Sequence, residues 1–70
     1  MGTNALRAAR VAAGMSQQQL AIAAGIRRES ISHYESGLHE PGVWRAIRMA
    51  AVLGVPVEEL FPVDTQAPLR

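Results

Sequence analysis

One glycine, Gly25, does most to constrain what this 70-residue chain can fold into. It stands in the middle of residues 16–35, SQQQLAIAAGIRRESISHYE, between two short apolar stripes. A helix that must stop and turn sharply there needs a positive φ, which only a residue without a Cβ takes at no steric cost. Ahead of it, Ser16 is placed to accept from the free N–H groups at positions 18 and 19 and so to cap a helix. Leu20, Ala21 and Ala24 then share one face of that helix. Beyond the glycine, Ile26, Ser30, Ile31 and Tyr34 form a second stripe. The segment reads as two short helices joined by a tight turn.

The second helix of this pair leaves Arg28, Glu29, Ser32 and His33 facing away from its stripe. Two charges, a hydroxyl and an imidazole are groups that hydrogen-bond base edges in a DNA major groove. A merely solvated face has the same composition, because charged outer faces are usual on small helical domains. Local pattern alone leaves both readings open. Arg27 occupies the position where Ser, Thr or Asp normally caps the helix. A cation at the positive end of the helix dipole is unfavourable in isolation and useful only where an anion such as phosphate joins it.

The remaining chain supplies helices that hold the pair. Thr3 or Asn4 caps a first helix, ALRAARVAA, that runs to Ala13 and stops at Gly14. Leu6, Ala9 and Ala13 share its inner face, with Arg10 beside them at the edge of the core, where a charge needs a partner. The third helix is expected from about residue 28 to 35, ending at Ser36 and Gly37, and residues 38–42 form a loop shaped by Pro41. Val43, Ala46, Ile47, Ala50 and Leu53 then recur with the strongest helical periodicity in the chain, leaving Trp44, Arg45 and Arg48 off the stripe. Gly54 ends this fourth helix. Pro56 begins a short fifth one with Glu58 and Glu59 in its first turn, and Leu60 and Phe61 close the core. The last stretch, PVDTQAPLR, has two prolines and no periodicity, so the expected organisation is one all-α domain over residues 1–61 and a flexible tail over 62–70.

Composition narrows the function classes. With no cysteine, disulfides and thiolate metal sites are excluded, and His33 and His39 are too few for a structural zinc site, so neither metal nor other cofactor is expected. No apolar run approaches the roughly 18 residues of a membrane span, and no secretory signal opens the chain, which points to a cytoplasmic protein. The net charge is only +1, but its distribution is uneven. Six arginines against three glutamates put residues 1–50 at +3, while one arginine against three acids puts residues 51–70 at −2. All seven basic residues are arginine, which suits bidentate contacts with phosphate or guanine, although codon usage produces the same composition. An enzyme is disfavoured: His33 lies one and two residues from Ser32 and Glu35 on one helix, where such neighbours do not face each other, and a domain this small leaves little room for a cleft.

The punctuation and spacing resemble the phage repressor and Cro-type (XRE-type) helix-turn-helix family over about residues 5–61. Arg10, Gly14, Ser16-Gln17, Leu20-Ala21, Gly25-Ile26, Ile31-Ser32, Tyr34-Glu35, Gly37, Pro41, Ala50, Leu53-Gly54-Val55 and Leu60-Phe61 carry the match. The resemblance implies a compact five-helix repressor-like fold in which residues 28–35 are the recognition helix, with Arg28, Glu29, Ser32 and His33 as base-reading candidates on double-stranded DNA. Arg28 suits guanine O6 and N7; Glu29 suits cytosine N4 or holds Arg28 in place. It further implies backbone contacts from Gln17, Arg27, Ser36, Gly37, His39 and Arg45, and a partly buried ion pair between Arg10 and Glu35. The chain departs from the family pattern at Leu38, where Lys or Arg is common, and at Arg27, where a small polar cap is common. The expected protein is a sequence-specific regulator, such as a repressor, binding a palindromic operator as a homodimer. The dimer would be weak without DNA and formed around Val55, Val57 and Phe61. The alternative is a protein-interaction module of the same fold, antitoxin-like, that docks a partner through Ile22, Leu38 and Trp44.

Overall fold

The computed structural model describes residues 5–61 and contains five helices: α1 (Leu6–Ala12), α2 (Gln17–Ala24), α3 (Arg28–Ser36), α4 (Val43–Leu53) and α5 (Val57–Leu60). Helix α2 packs on both α3 and α4, α5 packs on α4, and α1 meets α3. No strand occurs among the described residues, so the fold is all-α as the sequence predicts. The Thr3 or Asn4 cap and the 62–70 tail lie outside the described residues.

Each helix contributes one fully buried side chain to a common centre: Leu6, Leu20, Ile31, Met49 and Leu60. Burying an aliphatic or thioether side chain of this size stabilises by about 1.5–3 kcal/mol relative to exposure. Ala21, Ala24, Ile26, Tyr34 and Ala50 fill the space between them, and Ala9, Val52, Leu53, Val55, Val57 and Phe61 pack around the edge. The small residues on α2 let its backbone approach α4 closely. The first and last elements are tied by a backbone hydrogen bond, from Ala5 N–H to the Leu60 carbonyl at 3.2 Å.

Helix ends follow the residues that mark them. Ser16 caps α2 by accepting from Gln19 N–H at 3.0 Å, and the Gln19 side chain returns the bond by accepting from Ser16 N–H at 2.8 Å, a complete capping box. Gly25 closes α2 at φ 69°, in the left-handed region. A Cβ there would lie 3.4 Å from the Arg48 guanidinium, in addition to the backbone strain. Arg27 does occupy the N-cap of α3 and makes no capping hydrogen bond with its side chain.

Two inner faces differ from the sequence expectation. On α1 the buried residues are Leu6 and Arg10, while Ala13 is exposed, because α1 ends at Ala12 and Ala13 only caps it. On α4 the buried face is Ala46, Met49 and Ala50, with Leu53 half-buried, whereas Val43 and Ile47 are exposed. The face is turned by roughly 50°, half of the 100° step per residue, from the one that the periodicity suggested. The helix is apolar around most of its circumference, so Ala46, Met49, Ala50 and Leu53 satisfy the same helical spacing as the expected set. Packing against α2 and α5 selects between the two.

Met49→Ala is therefore expected to lower the unfolding free energy by roughly 2–5 kcal/mol, and Val43→Ala to change it by about 0.5 kcal/mol or less. Urea denaturation of the two variants tests this; equal losses would return Val43 to the core.

Candidate nucleic-acid interface

The α2–Gly25–α3 unit stands on a polar junction with α1. Arg10 reaches from α1 to the last turn of α3, where its Nε donates to Glu35 Oε2 at 2.5 Å and its Nη2 to Glu35 Oε1 at 3.2 Å. Its Nη1 donates to the Met15 carbonyl at 2.8 Å, in the connection between α1 and α2. Gln17, in the first turn of α2, adds a third donor to the carboxylate, Nε2 to Glu35 Oε1 at 3.1 Å. The Arg10 and Glu35 side chains are only 11% and 6% exposed, so the charges are desolvated, and they are also hydrogen-bonded. Among the described residues no buried side-chain nitrogen or oxygen lacks a partner. The hydrogen bond to Glu35 raises the Arg10 guanidinium above its ordinary pKa, against the opposing effect of burial. A raised folded-state pKa means that the stabilisation is fully present at neutral pH and is lost only when arginine deprotonates at far higher pH.

From this base α3 carries its outer face. Arg27, Arg28 and Glu29 are exposed in and before its first turn, and among the described residues no hydrogen bond or ion pair holds the side chain of any of them; the Arg27 carbonyl accepts from Ser30 N–H at 3.0 Å and Ile31 N–H at 3.2 Å. The Arg28 and Glu29 side chains are thus not joined to each other. Ser32 and His33 are half-buried one turn further on. At the C-terminal end Gly37 turns the chain at φ 81°, and Leu38 N–H returns to the His33 carbonyl at 2.9 Å. The Ser36 hydroxyl is engaged in this turn: it donates to the His33 carbonyl at 3.1 Å and accepts from Leu38 N–H at 3.4 Å. His39 folds back so that its ring meets that of His33 edge-on, with centroids 5.1 Å apart.

Helix α4 braces the unit from below. Arg45 Nη1 donates to the Tyr34 hydroxyl at 2.8 Å, and Arg48 Nη1 donates to the Ala24 carbonyl at 3.2 Å. The second bond satisfies a carbonyl left free at the C-terminus of α2 and places a cation at the negative end of its dipole. Arg45 remains exposed beside that bond.

The sequence-derived residues fall into separate groups. Gln17, Ser32 and Ser36 line one shallow cleft together with Arg7 and Glu35. Arg28 and Glu29 stand apart from them on the first turn of α3, and His33 and His39 form a pair at its far end. Sequence reasoning overlooked Arg7, although its charge on the turn of α1 before Arg10 was visible, and it did not foresee the Gln17–Glu35 bond, which joins residues 18 positions apart. No group of three or more His, Asp or Glu side chains able to hold a metal is gathered among the described residues.

Comparison with known proteins agrees with this geometry. A helix-turn-helix family model matches residues 6–60. A relative from Archaeoglobus fulgidus, an uncharacterized HTH-type transcriptional regulator, is 36% identical over 61 residues, 87% of each chain. Another protein of the same description and organism is 35% identical over 52 residues, 74% of this chain and 73% of its own. The crystal structure of the restriction-modification controller protein C.AhdI from Aeromonas hydrophila superposes with a TM-score of 0.75 and 32% identity, covering 80% of this chain and 85% of that one. Five helices with a capped α2, a left-handed glycine and an outward polar α3 define a helix-turn-helix protein. The chain belongs to the XRE-type helix-turn-helix family of DNA-binding transcription regulators.

Removing one side of the buried pair leaves the other charge without compensation. Arg10→Met is expected to cost roughly 3–5 kcal/mol of stability, and the double variant Arg10→Met with Glu35→Leu less than the single one. Thermal and urea unfolding measure both. A single variant as stable as the parent would show that the carboxylate is reached by water.

Proposed function

We infer that this protein is a sequence-specific DNA-binding transcriptional regulator that places α3 in the major groove of a palindromic operator. The observation that carries the reading is the state of Arg28 and Glu29: both are exposed in the first turn of α3, at the end that enters the groove in this architecture, with no side-chain partner among the described residues. Arg28 is the candidate for guanine O6 and N7, Glu29 for cytosine N4, and His33 for a base edge one turn further. Gln17, Arg27, Gly37, His39 and Arg45 are the candidates for the phosphate backbone. The Gln17 side-chain amide is held by Glu35, so its contribution is the backbone N–H at the start of α2. Ser36 contributes through its position at the helix end, since its hydroxyl proton is engaged by His33.

A recognition helix of nine residues reads few base pairs, which supports a homodimer on two half-sites about one helical turn apart. Val55, Val57 and Phe61 are half-buried against the core and keep an exposed edge, so a dimer formed there is small and strengthens on DNA. Bound to an operator, such a dimer blocks or recruits polymerase; a controller of a restriction-modification system, as C.AhdI is described, is one form of this role. No helix among the described residues is long and apolar enough to cross a membrane, in keeping with a site of action on cytoplasmic DNA.

A protein-interaction role on the same scaffold is the second reading. Its support is the exposure of Ile22, Leu38 and Trp44, at 71%, 64% and 73%, more apolar surface than a DNA reader needs.

Selection of random duplexes with the purified protein separates the two: the regulator enriches a palindrome, and the interaction module enriches nothing. On the selected site Arg28→Ala is expected to cost about 1–3 kcal/mol of binding and to relax preference at one base pair. An unchanged base profile would remove Arg28 from the reading set.

A further inference from the structure

His33 differs from the other base-reading candidates on α3. Among the described residues the side chains of Arg28, Glu29 and Ser32 have no hydrogen bond, ion pair or ring contact. The His33 imidazole has a neighbour of that kind, the ring of His39, which meets it edge-on at 72° with centroids 5.1 Å apart. Edge-to-face pairs attract at roughly 4.5–7 Å between centroids, because the positive edge of one ring meets the negative face of the other. Neither imidazole makes a hydrogen bond among the described residues, so the ring contact is what orients them. The backbone fixes where His39 comes from. Gly37 turns the chain at φ 81°, and the His33 carbonyl then accepts from Leu38 N–H at 2.9 Å, from the Ser36 hydroxyl at 3.1 Å and from His39 N–H at 3.4 Å. His39 is thus bonded through its own amide to the residue whose ring it meets. His33 is half-buried and His39 exposed, so the outer ring braces the inner one.

We propose that His39 is a positioning residue for His33: its ring holds the His33 imidazole in the one orientation that meets a base edge, and its side chain does not itself contact a phosphate. The proposal rests on the DNA-binding reading above. A neutral imidazole carries a donor on one nitrogen and an acceptor on the other, so turning the ring over exchanges the two and changes which base edge it fits. An unbraced histidine samples a broad χ2 well, whereas a specific contact needs the group held within about 10–20°. His39 removes that freedom from outside the helix. What it contributes is an aromatic ring at a fixed place, not a charge or a hydrogen bond, and substitution separates the three.

The test is the affinity of the wild type and four variants for the selected duplex, for the same duplex altered one base pair at a time, and for a random-sequence duplex. His33→Ala locates the base pair that His33 reads as the one whose preference it erases. His39→Ala and His39→Lys are each expected to lower preference at that same base pair by about fivefold, with the other positions unchanged, although lysine supplies a cation. His39→Phe keeps a ring without charge or ring nitrogen, and is expected to hold the preference within about twofold of the wild type. The assignment is overturned if His39→Lys keeps the wild-type base profile while His39→Ala weakens every duplex alike, the mark of a phosphate contact. It is also overturned if His39→Phe loses the preference as fully as His39→Ala, or if His33→Ala erases no preference. A wild type that enriches no duplex overturns the DNA reading itself, which is a different outcome. Thermal melts establish that the variants fold, and the contrast between His39→Lys and His39→Phe keeps the test open should His33→Ala not.

Discussion

The Glu35 carboxylate is the point on which the rest of the structure depends. It sits at the end of α3 and receives Arg10 from α1 and Gln17 from α2, so the three helices around the candidate interface meet at one acceptor group. Desolvating a carboxylate and a guanidinium is expensive, and an apolar replacement of the whole pair often leaves stability unchanged or higher. We therefore attribute to the pair a geometric value: three directional donors around two oxygens fix the angle between α1, α2 and α3, which apolar contacts alone do not. Arg10 also holds the Met15 carbonyl, so the same guanidinium sets the path of the chain into α2.

Helix α4 works on the opposite side by a different mixture of forces. Met49 enters the centre, while Arg48 and Arg45 reach to the Ala24 carbonyl and the Tyr34 hydroxyl, at the ends of α2 and α3 respectively. These two arginines bind the helix pair to its support through donors, not through burial. The consequence is that α4 faces the core with Ala46, Met49 and Ala50 and leaves Val43, Trp44 and Ile47 in solvent.

Much of this was legible in the sequence, for identifiable reasons. Ser16, Gly25, Gly37 and Gly54 mark helix ends because capping and left-handed turns depend on the residue itself, and the structure places them there. The stripe of α2 was readable because its outward positions, apart from Ile22, are small or polar. On α4 the same method failed: in VWRAIRMAAVL apolar residues cover overlapping stripes, and the choice of Met49 over Val43 and Ile47 is made by α2 and α5, not by α4. The candidate interface divides in the same way. Arg28 and Glu29 follow from helix register, whereas the cleft that joins Arg7 to Gln17 and Ser32 depends on how α1 crosses α3, which no local pattern encodes.

We propose that α3, held by the Glu35 junction, is the surface presented to DNA. Amide chemical-shift mapping of the labelled protein during titration with its selected duplex tests it most directly. The largest shifts are expected at Gln17 and Gln18 and from Arg27 to His33, with Met49 and Leu60 nearly still. Shifts gathered instead at Leu38, Val43, Trp44 and Ile47, with the first turn of α3 silent, would contradict it.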